Sequence, residues 1–182
     1  MAAKKEFVTL GSGDLYLTLY TPGSPIPEDV AFEVEDNKIG EIKGGAEISY
    51  TPEIYEVVGD SGVCIERFIT KEEVIFKTGI LKWCLDTLDL ICLGAVKSKS
   101  EGKEVVKIGG KGVKGIKQVA LRFVHTLSDG KKIRITMVGT PSNGFTLTFN
   151  PEEETVIDAE FQAMPQDAEG VLLEISKEVD PE

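Results

Sequence analysis

Histidine is almost missing from this chain: one residue, His125, in 182. A metal centre built from two histidines of one copy is therefore excluded. A Ser-His-Asp arrangement stays formally possible, but no GxSxG-type turn presents a nucleophile, and a histidine on the apolar face of a strand reads as a packed residue. Cysteine is also sparse and odd in number, with Cys64, Cys84 and Cys92 and no CxxC pair. Neither a disulfide framework nor a zinc site is expected. No stretch approaches the ~20 apolar residues of a membrane span. The opening MAAKKEFVTL has no signal-peptide core, so synthesis in a reducing cytoplasm without export by the common signal route is expected. Positive charge is short as well: 20 basic against 31 acidic residues leave a net charge of −11. Stable nucleic-acid binding needs lysine and arginine to displace phosphate counterions, and this balance argues against it.

Motifs that carry chemistry fail on context. Gly110, Gly112 and Gly115 in GKGVKG match GxGxxG. That fingerprint requires a helix to follow, and here an alternating strand follows, so the segment reads as a lysine-bearing hairpin loop. Glu152, Glu153 and Glu154 after Asn150-Pro151 lack the spacing that wraps calcium and read as a solvated turn. No catalytic residue, metal or cofactor is expected, and the chain does not read as an enzyme.

What is present is period-2 alternation. In IKQVALRFVHTL (116–127), Val119, Leu121, Phe123, His125 and Leu127 share one face. Ser128-Asp129-Gly130 then signals a tight turn before KKIRITMVG, which predicts a hairpin. Further runs are IKGGAEISY (42–50), GVCIERFIT (62–70), EEVIFKT (72–78), EVVKIGG (104–110), ETVIDAEFQA (154–163) and a less regular GVLLEISKEV (170–179). Short strands joined by short turns leave no room for crossover helices, so the expected fold is mainly antiparallel β. One segment, GILKWCLDTLDLIC (79–92), has apolar residues at helical spacing and predicts a single amphipathic helix packed on the sheet. Its Trp83, Cys84 and Cys92 read as core filling.

A chain of this length fits one domain, 1–182, and buries roughly 70% of the surface its unfolded form exposes. The Pro-rich acidic region TPGSPIPEDVAFEVEDN (21–37) cannot be a central strand and reads as a long loop or arm. In it Val30, Phe32 and Val34 alternate, predicting a short extended stretch in need of a partner surface. Charge is segregated: residues 1–60 hold 4 basic and 12 acidic side chains, 61–149 hold 15 and 8, and 150–182 hold 1 and 11. Acidic ends and a basic middle can pair within a copy or between copies.

Four stretches resemble the major tail tube proteins of long-tailed (siphovirus-type) bacteriophages, especially those of Gram-positive hosts. EFVTLGSGDLYLTLY resembles their opening strand pair. Ile39-Gly40-Glu41-Ile42-Lys43-Gly44-Gly45, running into AEISYTPEIYEVVGD, resembles the strand that enters a long inter-ring hairpin. RFVHTLSDGKKIRITMVG and TVIDAEFQAMPQDAEGVLLEI resemble the last strands. The similarity covers most of the chain and is weakest over the lysine- and serine-rich connection 93–103.

The resemblance implies a β-sandwich or barrel with one flanking helix and long arms. It further implies self-assembly: copies join edge to edge into hexameric rings, and rings stack into a hollow virion tail tube that conducts DNA during ejection. Tape measure, tail terminator and tail tip proteins are the implied partners, with no membrane role. On this reading Val30, Phe32, Tyr50, Pro52, Ile54, Tyr55 and Val57 are candidate interface anchors, in the arm 21–37 and the hairpin 50–70. A local hairpin contact is the other reading for Tyr50 and Tyr55. Glu47, Asp158 and Glu160 are candidate lining of the bore, where carboxylates would repel phosphate; ordinary outward-facing surface is the other reading. The C-terminal region 170–182 is expected to be a strand and an acidic tail. A tube subunit of a contractile tail, phage-like bacteriocin or secretion system shares these features. A monomeric β-sandwich binding module is the alternative of a different class.

Overall fold

The alternating stretches form strands because β-branched and aromatic residues on every second position bury one face of a pleated chain. The computed structural model describes residues 9–110 and 115–180. In chain order the strands are β1 (Asp14–Tyr20), β2 (Lys38–Ile39), β3 (Ile42–Val58), β4 (Cys64–Ile80), β5 (Ala95–Ser100), β6 (Lys103–Ile108), β7 (Gln118–Thr126), β8 (Lys132–Pro141), β9 (Ile157–Met164) and β10 (Glu174–Lys177). Among the described residues, two short α-helices, α1 (Asp29–Phe32) and α2 (Leu85–Ile91), and a 3-10 turn at Glu35–Asn37 interrupt them. The main sheet runs β2-β1-β7-β8-β9-β4-β3, with β10 added to β8, and β5 and β6 form a separate ribbon. Every pairing is antiparallel.

The sheet is strongly curled. Phe76 on β4 and Phe123 on β7 are separated by two intervening strands, which in a flat sheet would put them about 14 Å apart. Their ring centroids lie 6.1 Å apart, and Phe161 on β9 stands 6.5 Å from Phe76. The concave face thus closes on itself as a sandwich-like core, to which Leu15, Leu17, Leu121, Met137 and Ile157 contribute fully buried side chains. Each such side chain stabilises the fold by about 1.5–3 kcal/mol relative to exposure. Leu88 and Ile91 of α2 seal one end of this core. Gly139 marks a tight crossing of β8 and β9: a Cβ there would lie 2.6 Å from the Gln162 carbonyl oxygen.

The mainly-β reading with a flanking helix stands, and several finer expectations are corrected. The helix occupies Leu85–Ile91 rather than 79–92, because Gly79 and Ile80 are held as the end of β4 by β3 and β9. Cys84 therefore precedes the helix and is exposed rather than packed. The 62–70 and 72–78 runs are one continuous strand, β4. The 93–103 connection contains β5, paired with β6. Predicted strand 154–163 starts at Ile157, and 170–179 narrows to β10. The GKGVKG loop falls largely at 111–114, and the first half of the opening strand pair at 6–8; both lie outside the described residues.

The segment 21–37 is not a free arm. It crosses the convex face over β1, β7 and β8, where Phe32 is fully buried beside Tyr16, Ala120 and Val124. Its 29–32 portion is a helical turn, not an extended stretch. Phe32 is consequently a core residue of its own chain and cannot anchor a neighbour, whereas Val30 points away at 90% exposure. The face it covers is mixed, since Arg122 interrupts Ala120 and Val124 on that side of β7. The arginines explain the strap: Arg122 donates to Asp29 at 2.8 Å, and Arg134 donates to Glu33. Arg134 also donates to Glu178 at 2.7 Å, which joins the strap and the chain beyond β10 at one cation.

Candidate functional site

β3 and β4 are far longer than the sheet needs. β4 pairs with β9 only from Ile75 to Ile80, so residues 51–58 and 64–73 pair with each other alone. At ~3.4 Å per residue the free part of β3 extends about 27 Å beyond the sheet. Gly62, at φ 77°, turns the tip, and its amide donates to the Gly59 carbonyl at 2.8 Å. An isolated two-stranded ribbon is marginal in water, so cross-strand contacts have to hold it together. Arg67 pairs with Glu56 at 2.8 Å, Lys71 lies 3.5 Å from Glu53, and the Tyr50 hydroxyl donates to Glu72 at 2.7 Å.

The ribbon carries exposed apolar residues on both faces, between its ion pairs. Tyr55 stands opposite Phe68 on one face, and Ile54 opposite Ile69 on the other. Their exposures are 60%, 48%, 56% and 59%, and Val58, Val63 and Ile65 near the tip are also exposed. A half-buried strand hides one face; this one hides neither. Of the sequence-derived anchors, Tyr50, Ile54 and Tyr55 are exposed here, and Pro52 and Val57 are half-buried on the same strand. Pro52 fits an edge strand, which can lack one amide donor. Phe68 and Ile69 were not singled out from the sequence. Their alternation in GVCIERFIT was visible, but only the register across the hairpin puts them opposite Tyr55 and Ile54.

Beyond the ribbon, β3 ends the strand order of the main sheet, so no further strand pairs with its outer edge among the described residues. Among the described residues β10 likewise pairs only with β8.

The three acids expected at a bore share one face. Glu47 on β3, Lys77 on β4 and Glu160 on β9 are aligned in register, with Asp158 two residues along from Glu160. The surface is not purely acidic, because Lys77 stands between the carboxylates, 3.0 Å from Glu160. A hydrogen bond from Ser142, then the one from Lys77, hold the Glu160 carboxyl below the ordinary glutamate value. Lys43 beside them is engaged by Glu154. Neighbouring Gly44 and Gly45, at φ 85° and 75°, form the bulge that lets β3 bend here.

Among the described residues no group of His, Cys, Asp and Glu side chains is arranged to hold a metal ion. His125 is buried, and its Nδ1 donates to the Ser12 carbonyl at 2.7 Å, which fixes it between β7 and the chain before β1. No described helix is long and apolar enough to cross a membrane. No family model matches the chain, and no curated protein matches it.

Proposed function

We propose that the chain is a self-assembling structural subunit, the tube protein of a long-tailed bacteriophage. The observation that carries this reading is the β3–β4 ribbon: a protruding hairpin with apolar residues on both faces, continuous with an open sheet edge. Edge-to-edge joining would satisfy the outer edge of β3, and a closed ring leaves no such edge exposed. The ribbon reaches beyond the body of its own copy, so it is suited to bridging one ring to the next. Side chains such as Tyr55 and Phe68 have the size and character that dominate interfaces. The face bearing Glu47, Asp158 and Glu160 is the proposed bore lining for DNA in transit.

Electron microscopy of the purified chain at rising concentration tests this. Rings or hollow tubes of uniform diameter are expected. A monodisperse monomer at every concentration, with or without the tail tip proteins that would seed growth, would overturn the reading in favour of a monomeric binding module.

A further inference from the structure

The β5–β6 ribbon stands apart from the main sheet, and the tube reading gives it no part. One of its faces rests on α2: Ala95 is buried and Lys97 is engaged by Asp86. The opposite face brings Val96 against Lys107 and Ser100 against Lys103. Val96 is 53% exposed, and neither Lys103 nor Lys107 takes part in an ion pair among the described residues. This is an unpartnered sheet face that is both cationic and apolar, in a chain of net charge −11. An acidic, partly apolar surface would be complementary to a face of that character.

The same chain displays one. Phe149 is 79% exposed, and Glu152 and Glu153 follow it in an exposed turn, where their carboxylates meet no cation among the described residues. We propose that the Phe149–Glu153 loop of one copy docks on the β5–β6 face of the next, with Phe149 against Val96 and the two glutamates on Lys103 and Lys107. The two surfaces differ, so the contact is head-to-tail and propagates from copy to copy, as a ring or stack requires. This rests on the reading that the chain self-assembles; it adds a second, charge-specified contact to the apolar one made by the β3–β4 ribbon.

A charge-swap experiment tests it. Wild type, K103E/K107E, E152K/E153K and the fourfold combination are compared by sedimentation and electron microscopy at matched ionic strength. Each double reversal should raise the concentration needed for assembly at least about tenfold, as like charges face each other across the contact. The combination should restore assembly towards wild type, which a folding defect would not do. Wild-type assembly with unaffected double variants would overturn this contact and leave self-assembly standing, as would a combination that fails to recover. A wild type that never assembles would overturn both. Retention of duplex DNA by wild type, lost in K103E/K107E, would assign the face to nucleic acid and overturn the docking.

Discussion

The Arg122 guanidinium lies 4.7 Å from the centroid of the Phe32 ring. The same side chain donates from Nε to Thr136 at 3.0 Å and from Nη1 to Asp29. A charge with 6% of its surface exposed is thus covered by an aromatic ring and matched by a carboxylate on the same strap. Pairs of this kind contribute little net stability against an apolar replacement, but removing one partner leaves an uncompensated buried charge. The strap is therefore clamped to the sheet of its own copy.

Phe32→Ala should destabilise the fold by about 3–5 kcal/mol, the usual cost of emptying a buried aromatic site. Chemical denaturation measures it. Val30→Ala, only two residues away but exposed, should change stability by less than ~0.5 kcal/mol.

Acid should loosen the same clamp. Burial pushes the Glu33 carboxyl up, but hydrogen bonds from Arg134 and Lys132, with their charges, outweigh it and leave the group below its ordinary value of 4.5. A depressed carboxyl contributes stability above its unfolded value, and that contribution is lost as pH falls through the lower folded value. Glu33→Gln should lower stability at neutral pH and flatten its acid limb below about pH 4.5. Melting temperature followed against pH in both proteins checks this.

Gly139→Ala should be destabilising by about 1–3 kcal/mol, because the added methyl has to displace the β9 backbone or the Met137 side chain. Gly23→Ala is the contrast: its Cβ would meet open space, so only its φ of 82° opposes the change. Thermal denaturation of the two variants separates crowding from backbone conformation.

The ribbon should behave oppositely to the core. Ile54→Thr, Tyr55→Ser, Phe68→Ser and Ile69→Thr combined should leave the monomer folded, with a loss of only about 1–2 kcal/mol from two cross-strand pairs. Assembly seen by light scattering and microscopy should disappear. A variant that unfolds would instead make the ribbon part of the core.

Much of this fold was legible because the pattern and the burial agree. Val119 to Leu127 alternate, Gly130 turns at φ 83°, and β7 and β8 pair where the residues predict. Legibility failed where tertiary contacts override local pattern. Leu81 sits at helical spacing with Leu85, yet its amide is taken by the Glu41 carbonyl at 2.8 Å, which delays the helix. Phe32 looked like a free anchor because nothing local reveals that Arg122 and Arg134, some ninety to a hundred residues on, hold Asp29 and Glu33. The ribbon was half legible. Tyr55 and Ile54 stand out in the sequence, but their partners Phe68 and Ile69 emerge only from the hairpin register. The acids Glu47 and Glu160 were read as candidate bore lining, each on its own strand, while their common face and Lys77 between them became visible only once β3, β4 and β9 were aligned.

Hydrogen–deuterium exchange of the dilute and the concentrated chain tests the ribbon most directly. On assembly, amides of residues 51–58 and 64–73 should slow strongly, together with those on the outer edge of β3, while the already buried β7 and β8 amides change little. An assembled particle in which the β3–β4 ribbon exchanges as fast as in the monomer would contradict its role as the contact between copies.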